Sequence, residues 1–243
     1  MKTIDLNCDV GEGAGNDAEI MPWVSSANVA CGGHAGDVGT MVETMELARR
    51  SGVVVGAHPG FADREGFGRR EQSLGDGEIV DLVAGQLGRL KEHGEFSYVK
   101  PHGALYTMAA RDRRVADALV RAVVEFDRCL ALMGLAGGVL LESGRAAGLV
   151  VVSEGFVDRR YDSGGGLVAR GEVGAVIEGE REAVEQGVSM VLDGFVRSVG
   201  GRNVALDVDS ICVHGDSAGA VVSVRRLKRE LVAAGVEVKA FSG

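Results

Sequence analysis

Val53-Val54-Val55-Gly56-Ala57-His58-Pro59-Gly60 carries the pattern that decides the fold: a short valine-rich run that stops on a histidine and a Pro-Gly turn. A run of this length and branching, bounded by Gly or Pro, reads as a buried parallel strand. The pattern recurs outward in both directions, in Ile4-Asp5-Leu6, Ala27-Asn28-Val29-Ala30-Cys31, Tyr98-Val99-Lys100, Cys129-Leu130-Ala131-Leu132, Leu149-Val150-Val151-Val152 and Ser210-Ile211-Cys212-Val213. Between these runs, apolar residues three or four apart predict helices. One stripe is Ile79, Val83, Leu87 and Leu90; a second is Val115, Leu119, Val123 and Phe126. A third is Val184, Val188, Val191, Phe195 and Val199, and a fourth Val224, Leu227 and Leu231. About seven β-α alternations imply a parallel sheet covered by helices. Chemically loaded segments follow nearly every strand, which favours a closed barrel over an open doubly wound sheet, because a parallel barrel delivers its strand ends to one face. No Pro/Ser-rich linker divides the chain, so residues 1–243 are expected to form a single α/β domain.

Composition narrows the function classes. The 243 residues are 46% hydrophobic and 25% charged, as in a globular protein with a large core. A net charge of -9 repels phosphate backbones and anionic lipid, so no nucleic-acid and no membrane partner is expected. Glycine is about twice as frequent as usual, at 38 residues against only 3 prolines, which implies many tight turns and close backbone approaches. Cys8, Cys31, Cys129 and Cys212 lie far apart with no C-x-x-C pair, against a structural zinc site or a disulfide scaffold. Asp5 and Asn7 interrupt any signal-peptide core, and the longest nearly pure apolar run, Leu130 to Leu141, is too short to span a bilayer. The expected location is cytoplasmic. Phosphate-loop, H-E-x-x-H and G-x-S-x-G motifs are absent.

Four of the five histidines, His34, His58, His102 and His214, sit at strand ends beside glycine or proline; His93, in a polar helix terminus, serves as the ordinary comparison. A lone strand-end histidine is commonly structural, but four at equivalent positions point to acid/base work, metal ligation or stabilisation of negative charge. Asp9 ends the first strand and Glu12 follows in its glycine-rich turn, whereas Asp5, four residues before Asp9, need not share its face. Helix capping or an Asx-turn is the competing role for Asp9 and Asp216. Asp158, followed by Arg159 and Arg160 near Gly164-Gly165-Gly166, fits either ligand contact or a surface ion pair. Lys100, directly before Pro101, suits a barrel interior only if it meets an anion such as a phosphate or carboxylate. Arg69 and Arg70 offer a second anion clamp, although paired arginines are commonly solvated. Asn7 and Asn28 either orient such groups or are buried turn-makers, and the Met41, Met45 and Ala48 stripe is core packing.

Six blocks then carry a resemblance: DLNCDVGEG (5–13), SANVACGGHAGD (26–37), GAHPGFADREGFGRR (56–70), YVKPHGALY (98–106), EGFVDRRY (154–161) and CVHGDSAGA (212–220). They are collinear over nearly the whole chain and resemble the LamB/YcsF family. The resemblance implies a distorted (β/α)7 TIM-like barrel of the glycoside hydrolase/deacetylase superfamily type. It also implies the A component of a 5-oxoprolinase, acting with subunits B and C to open 5-oxo-L-proline to L-glutamate with hydrolysis of ATP. The family usually has an aromatic residue where this chain has Gly33, which is expected to widen the pocket beside His34.

Phosphorylation of the lactam oxygen, addition of water and C–N cleavage require cations for phosphoryl charge, a base and an acid. Lys100 with Arg69 or Arg70 fits the first need. Asp9 or Asp216, paired with His34, His58, His102 or His214, fits the others. Asn7, Glu12, Asn28, Asp158 and Arg159 are the further candidates for binding substrate or ATP. ATP is expected to carry Mg²⁺, with Asp9 or Asp158 near it. Two alternatives remain at this level: a metal-dependent deacetylase or amidohydrolase working without ATP through Asp9, His34 and His58, and a non-catalytic substrate-binding subunit.

Overall fold

The structure, a computed structural model, describes residues 2–215 and 219–241. Its strands are β1 (Thr3–Val10), β2 (Ser26–Ala30), β3 (Val54–His58), β4 (Tyr98–Val99), β5 (Ala131–Leu135), β6 (Val151–Phe156), β7 (Phe195–Arg197), β8 (Asn203–Ala205), β9 (Ser210–Cys212) and β10 (Glu237–Val238). Strands β1 to β6 and β9 pair in parallel in that order, and β9 pairs back onto β1, closing a seven-stranded barrel. This is the expected (β/α)7 architecture. β10 adds to the outer edge of β1 in parallel, and β7 and β8 form a separate antiparallel ribbon.

The helices sheathe the barrel: α1 (Asp17–Ile20), α2 (Val38–Ser51), α3 (Asp76–Lys91), α4 (Gly103–Ala109), α5 (Arg113–Phe126), α6 (Val139–Ala146), α7 (Glu180–Leu192) and α8 (Ala220–Ala233). Local chemistry sets their ends. Asp37 accepts from the Thr40 backbone N–H at 2.8 Å to start α2, and Gly52, in a left-handed conformation, stops it. The predicted stripes of α3 and α8 are buried as expected, and so is that of α5 apart from half-buried Phe126. The stripe from Val184 to Val199 is cut short: α7 ends at Leu192, Gly194 takes a positive φ of 72°, and Phe195 enters β7 while Val199 is exposed. The left-handed glycine reverses the chain before the apolar spacing runs out.

β1 shows how the barrel divides its residues. Successive side chains alternate between faces, so Ile4, Leu6, Cys8 and Val10 join the main core cluster while Asp5, Asn7 and Asp9 share the opposite face. The strand runs unbroken to Val10, so Asp5 and Asp9 do share a face, contrary to the looser reading of their spacing. A small apolar cluster of Tyr98, Ala131, Met133 and Val152, with Phe241 packed on Tyr98, is separate from the main core. A hydrogen-bonded shell surrounds Asp5 and Asn7: Ser25, Ser26 and Ser210 donate to Asp5, and Asn7 donates to Glu154 and Ser210.

Candidate active site

The candidate site is assembled from the C-terminal ends of the barrel strands. β1 supplies Asp9 and the turn after it Glu12, the segment after β2 supplies His34, and β3 ends on His58. Lys100 and His102 follow β4 and flank Pro101. These six groups are buried and meet. The His34 and His102 rings stack with centroids 3.6 Å apart, and His58 stands edge-on to both. Gly68, at φ 64°, makes this possible, since a Cβ there would lie 2.7 Å from the His34 Cβ.

Lys100 finds its anions within the protein. Its ammonium pairs with Asp9 Oδ1 at 2.9 Å and Glu154 Oε1 at 2.8 Å, with Asn7 Oδ1 and Cys212 Sγ both 3.2 Å away sharing its third N–H. Burial opposes its charge, but the two carboxylates outweigh burial and hold its pKa well above the usual lysine value. Asp9 also accepts from Asn28 at 2.8 Å and faces His58 Nε2 at 3.4 Å. Burial would raise its pKa, yet His58 and Lys100 hold it well below the ordinary carboxylate range. Glu154 is further anchored by the Tyr106 hydroxyl at 2.8 Å.

Glu12 Oε1 lies 2.9 Å from His34 Nε2, 3.2 Å from His102 Nδ1 and 3.7 Å from His58 Nε2. Burial opposes its ionisation, but the imidazoles of His102 and His34 hold it ionised to low pH. Burial pushes His34 down to about 3 and lowers His102 as well. For His58 the burial cost is exceeded by the Asp9 charge, so its pKa is raised. Glu12, His34, His58 and His102 form the group of potential metal-ligating side chains found among the described residues.

The ends of β6 and β9 supply a further ionisable pair, Asp158 and His214. His214 Nδ1 lies 2.7 Å from Asp158 Oδ1, and the His214 ring stacks on Phe156. Burial would raise the Asp158 pKa, but His214 outweighs it and the net shift is downward. Asp9, Glu12, His58, Lys100, His102, Arg69, Arg159, Arg170 and His214 all line one cavity of about 550 Å³. Arg159 is buried, donates to the Val168 carbonyl at 2.7 Å and keeps a buried Nε without a protein partner. An acidic and imidazole floor thus meets a guanidinium wall, a geometry suited to a small polar molecule carrying negative charge.

Comparison with known proteins gives this geometry a lineage. The LamB/YcsF family model matches residues 4–243. The chain belongs to the LamB/YcsF family. It is 46% identical to the A component of 5-oxoprolinase from Neisseria meningitidis serogroup C, over 99% of this chain and all of that one. A lactam utilization protein from Thermus thermophilus superposes with a TM-score of 0.91 at 45% identity, covering 99% of this chain and 100% of that one. A family 4 carbohydrate esterase from Streptomyces lividans, at 9% identity, covers 99% of this chain and 93% of that one with a TM-score of 0.52, a likeness of fold alone.

The LamB/YcsF blocks supply most of the cavity lining, with the 167–171 segment and Glu71, Thr107 and Arg111 completing it, and the expected residues divide into three sets. Asp9, Glu12, His58, Lys100, His102, Arg69, Arg159 and His214 line it. His34, Asn7, Asn28 and Asp158 lie one layer behind, each bonded to a lining residue or to another group of this layer. Arg70 points to the surface, where it pairs with Glu65 at 3.0 Å. Asp216 lies outside the described residues. The suggested metal set of Asp9, His34 and His58 is arranged differently: Asp9 approaches His58, whereas His34 bonds Glu12. Gly33 does not widen the pocket. A Cβ there would come within 2.4 Å of Gln86 Oε1 and 2.8 Å of the Gly60 carbonyl, so Gln86, bonded to both the N–H and C=O of Gly60, fills that space. Glu154, Tyr106 and Arg170 were not anticipated. Glu154 and Tyr106 lie inside the quoted blocks, and the β6 alternation that puts Phe156 in the cavity puts Glu154 on the same face.

Among the described residues no helix is long and apolar enough to cross a membrane.

Proposed function

We propose that this chain is the lactam-binding and lactam-opening component of a 5-oxoprolinase, working with subunits B and C to convert 5-oxo-L-proline to L-glutamate as ATP becomes ADP and phosphate. The observation that carries this reading is one cavity lined both by Arg159, whose buried Nε has no protein partner, and by His214, which is bonded to Asp158 behind it. The names of the 5-oxoprolinase and lactam-utilization relatives agree with it.

Lactam opening is slow because amide resonance is lost and nitrogen leaves poorly. Transfer of the ATP γ-phosphoryl group to the lactam oxygen removes the first obstacle by making the ring carbon electrophilic. Arg159, with Arg69 and Arg170 on the same wall, supplies charge for the substrate carboxylate and the transferred group. Asp158 fixes the His214 tautomer with hydrogen on Nδ1, which leaves the basic lone pair on Nε2. His214 then takes a proton from water as its oxygen bonds to the ring carbon. The imidazolium, stabilised by Asp158, returns that proton to the ring nitrogen as the C–N bond breaks. A second water hydrolyses the resulting acyl phosphate to glutamate and phosphate. Mg²⁺ enters as the counter-ion of ATP. Lys100 holds Asp9 and Glu154 in place rather than meeting the phosphoryl group directly.

The test uses the complex reconstituted with subunits B and C. His214→Gln and Asp158→Asn should lower kcat for 5-oxoproline-dependent ADP release by ~10²–10⁴-fold with little change in KM. Near-normal turnover in both variants, with folding intact, refutes the assignment. The imidazole and carboxylate floor favours a second reading, amide hydrolysis without ATP, which lactam opening by the isolated chain in ATP-free buffer would support.

A further inference from the structure

Two main-chain carbonyls decide where the protons sit in the floor cluster. His58 Nδ1 lies 2.7 Å from the Lys100 carbonyl and His102 Nε2 lies 2.9 Å from the Phe67 carbonyl. A carbonyl only accepts, so both of these ring nitrogens carry hydrogen. In neutral rings the other nitrogens, His58 Nε2 and His102 Nδ1, are therefore bare lone pairs, and they face each other at 3.0 Å. Glu12 Oε1, another acceptor, is 3.2 Å from His102 Nδ1 and 3.7 Å from His58 Nε2. With both rings neutral, three buried acceptors converge with no hydrogen between them, an arrangement that repels unless a cation, a metal ion or a proton on His58, occupies its centre.

We propose that His58 Nε2, His102 Nδ1 and Glu12 Oε1 bind one divalent first-row transition-metal ion on the cavity floor, with Asp9 Oδ2 3.4 Å from the His58 donor. Metal–ligand bonds of about 2.0–2.2 Å place neighbouring donor atoms roughly 3.0–3.5 Å apart, and the separations here run from 3.0 to 3.7 Å. Asp9 Oδ2, 3.4 Å from His58 Nε2, falls in the same range. Each histidine has its far N–H anchored to a carbonyl, the arrangement that orients metal-bound imidazoles. Phe67 provides its carbonyl from a left-handed conformation at φ 54°, a strained state for a residue other than glycine. Charge points the same way: the Asp9, Glu12 and Glu154 carboxylates against the Lys100 ammonium leave two formal negative charges when the imidazoles are neutral. Two imidazoles with carboxylate oxygens suit zinc, manganese, iron or cobalt better than magnesium or calcium.

His34 is a positioning residue rather than a ligand. Its ring lies 3.6 Å above that of His102 at an interplanar angle of 1°, and two rings so placed cannot both aim in-plane lone pairs at one ion. Its Nε2–H instead donates to Glu12 Oε1 at 2.9 Å and orients the carboxylate. The site rests on these side chains alone and holds whether or not the reaction uses ATP.

The competing occupant is a single proton between His58 and its neighbours, which relieves the same repulsion. The test is calorimetric titration of the chelator-stripped full chain with Zn²⁺, Mn²⁺ and Co²⁺, with Mg²⁺ as the comparison ion, without ATP or partner subunits. Retained metal is counted by elemental analysis, and the visible spectrum of the Co²⁺ form reports nitrogen and oxygen ligation. Expected are one ion per chain and at least ~10-fold weaker binding in Glu12→Gln and His102→Asn. The Co²⁺ bands should shift in both variants, and circular dichroism should show both folded. Failure of all three transition ions to bind, or one-to-one binding that both substitutions leave intact, overturns the proposal. Either result leaves the His214 and Asp158 kinetic test standing on its own.

Discussion

Replacing Lys100 by methionine isolates the electrostatics of the barrel. The side chain keeps similar length and loses the charge, so Asp9 and Glu154 lose the cation that bridges them at 2.9 and 2.8 Å. Removing one partner of a buried ion pair costs ~3–5 kcal/mol, because the remaining charge is left uncompensated. Other donors survive here: Asn28 to Asp9, and Asn7 and Tyr106 to Glu154. They place the loss near the lower end, about 3 kcal/mol. In a domain of this size each kcal/mol moves Tm by about 2–4 °C, so Lys100→Met should lower Tm by roughly 6–12 °C. The assay is scanning calorimetry in chelator-treated buffer, which keeps metal binding out of the measurement. Adding Glu154→Gln removes one of the stranded charges, and the double variant should recover about 1–3 kcal/mol relative to additivity. A Tm fall under ~3 °C, or strict additivity in the cycle, would refute the idea that Lys100 is held by these carboxylates.

Arg159→Met removes the buried guanidinium from the cavity wall and should raise KM for 5-oxoproline or ATP in the reconstituted complex by ~10–100-fold, since a charged hydrogen bond contributes about 1.5–3 kcal/mol. Unchanged KM values for both substrates would remove Arg159 from anion binding. Gly33→Ala drives a methyl group into Gln86 and the Gly60 carbonyl and should cost ~1–3 kcal/mol in urea unfolding. Gln86→Ala in the same chain should restore part of that loss, and a stable single variant would show that Gln86 does not fill the space. Asp158 has a folded-state pKa below its unfolded value. Its stabilisation is therefore complete above the ordinary carboxylate pKa of about 4 and is lost as pH falls through the lowered folded value. Asp158→Asn should flatten the decline of the urea midpoint below about pH 4; parallel acid limbs for variant and parent would contradict the linkage.

The barrel was legible because its elements announce themselves locally. Valine-rich runs stop at Gly or Pro, and the stripes Ile79–Leu90 and Val115–Phe126 carry helical spacing across whole elements. Where local signals competed, the boundary went wrong. Phe195 and Val199 continue the α7 spacing by coincidence, and only the left-handed Gly194 distinguishes the end of that helix from its continuation. β5 and β6 run on to Leu135 and Phe156, beyond the apolar runs that predict them, and β6 carries the buried polar residues Ser153 and Glu154. A parallel barrel is expected to be filled by branched apolar side chains. Here Asp5, Asn7, Asn28, Lys100 and Glu154 are buried as a bonded set, so hydropathy alone undercounts the strands.

The candidate site was legible in membership and not in pairing. Histidines at four strand ends could be gathered to one rim by topology alone, and Lys100 could be seen to need an anion. That the anions are Asp9 and Glu154 depends on register across the barrel, where Asn7 pairs with Cys212 and Glu154 with Ser210. The larger gap lies in the main chain. Which nitrogen of His58 and His102 holds hydrogen is decided by the carbonyls of Lys100 and Phe67, and a carbonyl has no letter in a sequence. Those two bonds turn a row of histidines, equally readable as bases, donors or ligands, into lone pairs facing one carboxylate oxygen. Histidine identity sets what the rim can do; backbone geometry selects among those capacities, and here carbonyl-bonded His58 and His102 fit the proposed cation while His214, bonded to a side-chain carboxylate, fits the proposed proton transfer.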